Sequence, residues 1–209
     1  MNKALVIVFV KNIKLGKVKT RLAKTIGNPG AFEIYSALVE VTEKATESLS
    51  VDKRIYFSEA VVDSKWPNDY KTVQHGIDLG ERMKNAFIKG FKDGYDRIVL
   101  IGSDLPDITA HHINKGLAAL NESEVVFGPA EDGGYYLVGL SKMHHAIFNN
   151  KPWSAPQLLE KTLSELKENS IAFSTLDILN DIDTYEDLIA SKFYQSNAAL
   201  QEKIKALQD

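Results

Sequence analysis

Short apolar runs alternate with longer amphipathic segments along this chain of 209 residues. The run from Ala4 to Val10 is continuously apolar and rich in β-branched residues, which is typical of a strand buried on both faces. Between Phe32 and Leu49 the apolar positions recur with helical spacing instead. This alternation continues along the chain and predicts a mostly parallel central sheet that helices cover on both faces.

The same patterns give approximate bounds for the other elements. Further strands are predicted at residues 54–58, 97–101, 125–127, 135–140 and 171–176. Further helices are predicted at residues 78–93, 109–120, 156–169 and 184–207. The pattern shows no repeat, low-complexity tract or linker, so we expect residues 1–209 to form a single α/β domain.

Composition excludes several classes of protein. Hydrophobic residues make up 44% of the chain and charged residues 25%, which is ordinary globular usage. The longest apolar run is too short to span a bilayer and lacks a signal-peptide cleavage pattern, so we expect a cytoplasmic protein without a membrane partner. The chain has no cysteine, which excludes disulfides, thiolate catalysis and Cys-ligated zinc. A net charge of −3 argues against a nucleic-acid partner.

The positive charges are concentrated near the start of the chain. Residues 1–32 contain no acidic residue, and their basic residues are Lys3, Lys11, Lys14, Lys17, Lys19, Arg21 and Lys24. In a chain that is acidic overall, such a patch is typical of a bound anion, although a solvated basic loop explains it equally well. The loop follows the first predicted strand, where open α/β sheets bind their ligands.

Four residues of this loop are candidates for binding phosphate. Lys17 and Lys19 offer compact charges, Arg21 offers a bidentate fork, and Gly16 allows close approach of the backbone. The loop matches neither a P-loop nor a G-x-G-x-x-G fingerprint. The residues therefore indicate an anion site without identifying the nucleotide.

Three aspartates are candidate metal ligands. Asp104 lies at the tip of the turn after predicted strand 97–101, where a carboxylate can hold Mg²⁺ or Mn²⁺ or can simply cap the turn. Asp181 and Asp183 precede the predicted final helix, which Thr184 and Asp187 begin with a sequence resembling a capping box. In an extended segment, residues i and i+2 point to the same side, so both carboxylates can meet Asp104 at a divalent cation.

A glycine-rich hairpin is the candidate site for a sugar or an acceptor. The segment from Gly128 to Tyr136 separates two predicted strands, and Asp-Gly between strands is by itself a strong turn signal. The adjacent Gly133 and Gly134 would also let a ligand lie against backbone N–H groups. Asp132 would then accept hydrogen bonds from ligand hydroxyl groups.

Together these segments resemble the DUF2064 family of transferases. The family's K-T-R-L-A, G-[ST]-D-x-P, G-P-x-x-D-G-G-Y-Y-L-x-G-L and D-[IV]-D-T-x-x-D-L motifs appear here at residues 19–23, 102–106, 128–140 and 181–188. Residues 78–83 also match, as does Pro152-Trp153-Ser154, which Ala155 follows where the family usually has Thr. One motif departs: the family's R-A-P-x-P-G entry to the basic loop is Lys-Asn-Ile-Lys-Leu-Gly at residues 11–16.

The resemblance implies a GT-A-like fold, a three-layer α/β/α sandwich with a mostly parallel sheet. This fold of the nucleotide-diphospho-sugar transferases also hosts the molybdenum-cofactor and phospholactate guanylyltransferases. The resemblance adds Gly80 and Arg82 to the predicted nucleotide site, and Tyr135 and Trp153 to the predicted substrate site. Trp153 fits equally well as a packed anchor between two prolines.

The function implied is metal-dependent transfer of a sugar from a nucleotide-sugar to a small-molecule acceptor. In this interpretation Asp104, Asp132 and Asp183 are catalytic, and Mg²⁺ or Mn²⁺ binds Asp104, Asp181 and Asp183. The dense basic loop favours an alternative, transfer of a nucleotide from a triphosphate to a phosphorylated small molecule with release of pyrophosphate. A non-catalytic nucleotide-binding module is a third hypothesis. The apolar side of the predicted final helix would pack on the sheet or on a second subunit, which leaves open a homodimer.

Overall fold

The computed structural model describes residues 3–153 and 155–207, and strand β1 (Ala4–Val10) lies near the middle of its sheet. The other strands are β2 (Asp52–Phe57), β3 (Tyr70–Val73), β4 (Arg97–Ile101), β5 (Val125–Pro129), β6 (Tyr135–Leu140) and β7 (Phe173–Thr175). They form one sheet in the order β3-β2-β1-β4-β6-β5-β7. Strand β6 runs antiparallel to both of its neighbours, whereas the other described pairs are parallel. The expectation of a mostly parallel sheet is confirmed.

Helices cover both faces of this sheet. They are α1 (Ala23–Glu47), α2 (Leu79–Lys92), α3 (Ala110–Ala119), α4 (Leu158–Glu168), α5 (Tyr185–Ala190), α6 (Lys192–Gln195) and α7 (Ala198–Ala206). Alternate residues of β1 point to opposite faces, so Val6 and Val8 pack with α1 and α3 while Leu5 and Ile7 pack with α2 and α4. The result is the three-layer α/β/α sandwich that the resemblance implied.

Three elements differ from the sequence-based prediction. Strand β3 was not predicted, because its sequence Tyr-Lys-Thr-Val lacks an apolar run and none of its residues is fully buried. Helix α1 begins at Ala23 and ends at Glu47, whereas the prediction ran from Phe32 to Leu49. It is interrupted at Gly27, whose φ of 75° and ψ of 163° are not helical, and Pro29 follows in the first turn of its longer part. The prediction of a single final helix was wrong, because Ser191 and Asn197 cap new helices and divide the segment into α5, α6 and α7.

The end of the chain packs against helix α1. Leu200 and Ile204 of α7 are buried in one cluster with Ile34 and Leu38 of α1. Part of the apolar side of the C-terminal segment therefore packs on the chain's own first helix, whereas Ile189 and Leu207 are exposed. Within the part of the chain that the structure describes, no helix combines the length and apolar character of a membrane span.

Candidate active site

The candidate site lies where four segments meet at one edge of the sheet. Strands β1, β4 and β5 run in the same direction, so their carboxyl ends share this edge. The loop after β1 carries Lys19, the loop after β4 carries Asp104, and the hairpin after β5 carries Asp132. The segment after β7 brings Asp181 and Asp183 to the same place. Ligands of open α/β sheets bind at this edge.

Two cavities open between these segments. The basic cavity has a volume of about 560 Å³, and its cationic lining residues are Lys11, Lys19 and Arg82. The apolar cavity has a volume of about 330 Å³ and is lined mainly by apolar and aromatic side chains, including Trp153. Asp104 lines both cavities and therefore stands at their junction.

Lys19 joins carboxylates from two different loops. Its side chain is only 6% exposed, and its Nζ lies 2.9 Å from Oδ2 of Asp104 and 3.8 Å from Oδ2 of Asp181. Burial by itself lowers the pKa of Lys19, but these carboxylates outweigh burial and the pKa lies above its ordinary value. The φ of Lys19 is 44°, in the left-handed region that costs a non-glycine residue conformational energy. Lys19 is thus a buried positive charge held at a strained position.

Asp181 shows how closely the carboxylates are placed. Burial is the main cause that raises the pKa of Asp181 to about 6, and the negative charge of Asp104 adds to it while Lys19 acts in the opposite direction. Asp132 and Asp183 raise the same pKa further. Acids that are far apart in the sequence therefore lie within electrostatic reach of each other.

Asp183 is held by a second cation. The Nη1 of Arg21 donates a hydrogen bond of 2.9 Å to Oδ2 of Asp183, which lines the basic cavity. Helix α5 begins directly afterwards with the predicted capping box, in which the Asp187 carboxylate accepts from the N–H groups of Thr184 and Asp183 at 2.7 and 3.1 Å. The cap therefore fixes the backbone that positions Asp183.

The donor atoms suit a divalent cation, although they form no complete cage. Among residues 3–153 and 155–207, no group of three or more His, Cys, Asp or Glu side chains is arranged to hold a metal ion. Asp104 and Asp181 nevertheless share one cation position, which the Lys19 ammonium group now takes. Mg²⁺ is commonly held by one or two carboxylates, with waters and substrate phosphates as the other ligands. This pair fits such an ion better than Asp183, which is engaged by Arg21.

The protein itself uses the N–H groups of the hairpin glycines. The N–H of Gly133 donates to the carbonyl oxygen of Ala130 at 3.1 Å, and the N–H of Gly134 donates to Oδ1 of Asp132 at 2.8 Å. Gly133 has a φ of +85°, and a Cβ there would lie 1.7 Å from the carbonyl oxygen of Pro156. In this conformation the two N–H groups are not free for the ligand contact that the sequence suggested. Asp132 and Gly134 do line the apolar cavity.

The remaining predicted phosphate residues have different positions. Arg82 lines the basic cavity, and its Nε donates to the carbonyl oxygen of Gly76 at 3.2 Å. Gly16 and Lys17 line neither of the two cavities. Gly80 is a packing position, since a Cβ there would lie 2.4 Å from the indole ring of Trp153.

Two aromatic residues of the predicted substrate site line the apolar cavity. Trp153 is partly buried and packs against Gly80; Ser154, the next residue of its motif, lies outside the described residues. Tyr135 packs on Phe127 with ring centroids 5.0 Å apart. Burial raises the pKa of Tyr135, so its hydroxyl stays protonated, and no hydrogen-bond partner for it is found in the part of the chain described.

Sequence reasoning missed two residues that position the loops. The buried Tyr35 hydroxyl of α1 accepts a hydrogen bond of 2.9 Å from the N–H of Lys11 and lies 2.9 Å from Oγ of Ser103, beside Asp104. The buried Asn12 accepts from the N–H of Glu59 at 2.8 Å and so ties the basic loop to the end of β2. A polar group within an apolar helix face was the only sequence signal for Tyr35.

Comparison with known proteins identifies the family. The profile of the family described as uncharacterized proteins conserved in bacteria (DUF2064) matches residues 43–155. A solved structure from Desulfovibrio desulfuricans G20, provisionally assigned as a nucleotide-diphospho-sugar transferase, is 32% identical with a TM-score of 0.85. The match covers 99% of this chain and 97% of that chain. The chain belongs to the DUF2064 family.

More distant structures share the fold of this DUF2064 protein. The CMP:2-keto-3-deoxy-manno-octonic acid synthetase complexed with CTP is 12% identical with a TM-score of 0.56, over 96% of this chain and 99% of that chain. Glucosyl-3-phosphoglycerate synthase from Mycobacterium tuberculosis, in complex with Mn²⁺, UDP and its product, is 12% identical with a TM-score of 0.51, over 99% and 81%. No curated protein matches in sequence. At this identity the two structures show the GT-A-like fold alone.

Proposed function

We propose that this DUF2064 protein is a metal-dependent glycosyltransferase that moves a sugar from a nucleoside diphosphate to a small-molecule acceptor. The observation that supports this most directly is the pair of cavities that meet at Asp104, one basic and one apolar. Two substrates bound side by side need such a junction, because their reacting atoms must approach each other closely. The segments that line the junction extend from residue 9 to residue 183, which supports the proposal of a single catalytic domain.

The basic cavity is the proposed site of the nucleotide diphosphate. Lys11, Lys19 and Arg82 line it, and the anionic diphosphate is the group that gains from these charges. Arg21 lies beside this cavity through its contact with Asp183. A diphosphate that binds there would compete with Asp104 and Asp181 for the Lys19 ammonium group.

Asp104 and Asp181 are the proposed ligands of Mg²⁺ or Mn²⁺, with Asp183 as a further candidate. When bound, the ion supplies positive charge for the departing diphosphate. The protein's own contribution is to hold the two carboxylates, on separate loops, within reach of one cation. In the structure both carboxylates lie close to the Lys19 ammonium group. The D. desulfuricans relative and the Mn²⁺ complex of the synthase make a nucleotide-sugar and a divalent ion reasonable choices for the first experiments.

Asp132 is the proposed proton acceptor. An acceptor hydroxyl oxygen forms a bond to the anomeric carbon, the bond from that carbon to the diphosphate oxygen breaks, and the nucleoside diphosphate leaves with the electron pair. The hydroxyl proton passes to the Asp132 carboxylate, which the hydrogen bond from Gly134 N–H keeps in a fixed orientation. The apolar side chains around the acceptor keep out water that would otherwise take the sugar.

One observation favours nucleotidyl transfer as the second candidate. The basic cavity offers three cationic residues, which suits the larger charge of a triphosphate. In that reaction an acceptor phosphate attacks the α-phosphorus and pyrophosphate leaves. The acceptor would then carry a negative charge into the neighbouring cavity.

Product analysis distinguishes the two reactions. The full chain with Mn²⁺ is incubated with nucleotide-sugars and, separately, with nucleoside triphosphates, over a panel of acceptors. Glycosyl transfer releases a nucleoside diphosphate, whereas nucleotidyl transfer releases pyrophosphate. Release of neither product, together with nucleotide binding, would leave the non-catalytic binding module and refute both transferase assignments.

The role of Asp104 is tested by Asp104→Asn. We expect Mn²⁺-dependent binding of the nucleotide to fall at least tenfold, measured well below the melting temperature of the variant, because the buried Lys19 also loses its nearest counter-ion and stability falls. Asp107→Asn is the matched control, since Asp107 is exposed on the same turn and lines neither cavity. Equal nucleotide binding by both variants would remove the metal role from Asp104.

A further inference from the structure

The apolar cavity has a charge pattern that restricts its occupant. Three carboxylates line it, those of Asp104, Asp132 and Asp181. No lysine, arginine or histidine is among its described lining residues. Lys19 contacts two of these carboxylates but lines the basic cavity instead. A negative group in the apolar cavity would therefore meet like charges without a lining cation.

The walls of this cavity offer little to a strongly polar ligand. They come from helices α2 and α4, strands β1, β4 and β6 and the loops between elements, and include Met83, Leu100, Leu105, Val138, Trp153 and Leu158. Because these apolar side chains line the cavity, a bound ligand would meet mainly apolar atoms. The volume of about 330 Å³ is at the lower end of small-molecule sites.

Aromatic side chains give the cavity a preference for rings, since its lining includes Phe9, Tyr135, Tyr136 and Trp153. The face of an indole or phenol stacks well on a flat or apolar ring, and Trp153 and Tyr135 both line the cavity. Burial raises the pKa of the Tyr135 hydroxyl, which therefore stays protonated, and the described chain supplies no hydrogen-bond partner for it. The cavity thus combines apolar walls with a small number of polar groups.

We propose that the acceptor is a small uncharged alcohol with an apolar, ring-containing body, and that phosphorylated or carboxylated acceptors are excluded. This proposal rests on the proposed glycosyl transfer, because only in that reaction is the ligand of the apolar cavity a sugar acceptor. A hydroxyl group donates a hydrogen bond to a carboxylate. A phosphate or carboxylate would instead lie beside Asp132, a negative charge that neither Lys19 nor an ion at Asp104 and Asp181 compensates, and it would meet no lining cation. The same argument weighs against transfer of a nucleotide to a phosphorylated molecule.

Three probes with one skeleton test the charge selection. We would measure binding of 4-phenylbutan-1-ol, 4-phenylbutylamine and 4-phenylbutanoate to the full chain without nucleotide or metal, by ligand-observed NMR and equilibrium dialysis. We expect the alcohol and the amine to bind at least tenfold more tightly than the carboxylate. A carboxylate that binds as well as the alcohol overturns the proposal, as does binding of none of the three probes.

The two tryptophans locate the bound probe. The indole N–H of Trp66 is buried in the core and donates to Thr46 at 2.8 Å, whereas Trp153 lines the apolar cavity. In a ¹⁵N spectrum the indole signal of Trp153, assigned with Trp153→Phe, should move with added 4-phenylbutan-1-ol while that of Trp66 stays fixed. A shift confined to Trp66, or no shift of Trp153, places the probe elsewhere and overturns the proposal.

A charge variant tests the cause. Asp132→Asn should tighten 4-phenylbutanoate binding by about three- to tenfold, weaken binding of the cationic amine and leave binding of the alcohol nearly unchanged, because one negative charge is removed. Glu131→Gln is the matched control, since Glu131 is exposed next to Asp132 and lines neither cavity. Equal effects of both variants contradict the proposal. These binding results do not depend on turnover, so absence of nucleoside diphosphate release refutes the proposed function separately.

Discussion

At the scale of single residues, the candidate site is organised around Lys19. Lys19 is buried and strained, and it contacts carboxylates from two loops. Unfavourable conformations and crowded charges are common at functional sites, where they are retained at a cost in stability. The effect of each charge on folding can therefore be measured without knowing the substrates.

Asp181 should make stability depend on pH. Its pKa of about 6 in the folded chain exceeds the ordinary 3.8, so ionisation favours unfolding and this group lowers the free energy of unfolding as pH rises from about 4 to about 6. Asp181→Asn should therefore raise the free energy of unfolding at pH 8 by about 1–3 kcal/mol. The gain should shrink as pH falls towards 4.

Urea unfolding at pH 8 and at lower pH measures this effect. Asp63→Asn serves as the control, because Asp63 is exposed and lines neither cavity. An Asp181→Asn variant no more stable than the unmodified chain at pH 8 would contradict the raised pKa of Asp181, which already includes the opposing effect of Lys19.

Tyr35 should act as a positioning residue. Tyr35→Phe removes the acceptor of the Lys11 N–H and the partner of Ser103, which should cost about 1 kcal/mol of stability. Because the basic loop is then less well fixed, nucleotide binding should also weaken several-fold. Calorimetry and unfolding measure the two effects, and Tyr70→Phe is the control at an exposed ring. Full nucleotide affinity with lowered stability would restrict Tyr35 to a structural role.

At the scale of elements, the strands and helices with strong hydrophobic patterns were predicted from the sequence. Strand β1 is a continuous apolar run and was predicted over the same residues, Ala4 to Val10. The short edge strand β3 has no such pattern, since its pairing with β2 alone defines it. The division of the final helix had a signal in Ser191 and Asn197, both good N-cap residues, but the apolar spacing continued through them.

The hairpin glycine Gly133 should be essential for packing. Gly133 and Gly94 both have a φ of +85°, so alanine costs each about 1 kcal/mol of backbone strain. Gly133→Ala must in addition move the Pro156 carbonyl oxygen, 1.7 Å from the new Cβ, whereas Gly94 has nothing within 4 Å. Gly133→Ala should therefore be the more destabilising by several kcal/mol in urea unfolding. Equal losses would contradict the close contact between the hairpin and the segment after Trp153.

At the scale of the whole molecule, the fold brings together charges that the sequence only lists. The alternation of strands and helices predicted the sheet, and the position of Asp104 after a strand predicted its place at the carboxyl edge. Sequence could not show that Lys19 would pair with Asp104 and Asp181, because that contact needs the strand order. Nor could it show that Gly133 serves packing, since its contact with Pro156 is non-local.

The two cavities should respond differently to salt. Raising NaCl from 50 to 500 mM should weaken nucleotide binding severalfold, because exposed charges at the basic cavity are screened. Binding of uncharged 4-phenylbutan-1-ol should change less than twofold or tighten slightly, since it depends on apolar burial. Isothermal titration measures both. Equal salt dependence would mean that the two ligands share one site.

The wall between the two cavities limits how their specificities can change. Phe9 and Leu79 belong to both linings, so a smaller side chain at either position would enlarge both chambers together. A variant that accommodates a bulkier ligand in the apolar cavity through such a change would at the same time bind the ligand of the basic cavity less tightly. The size of one cavity can be changed independently only at positions that line that cavity alone, such as Leu158 in the apolar cavity or Gln74 in the basic cavity. Engineering of an altered ligand range should therefore begin at these positions.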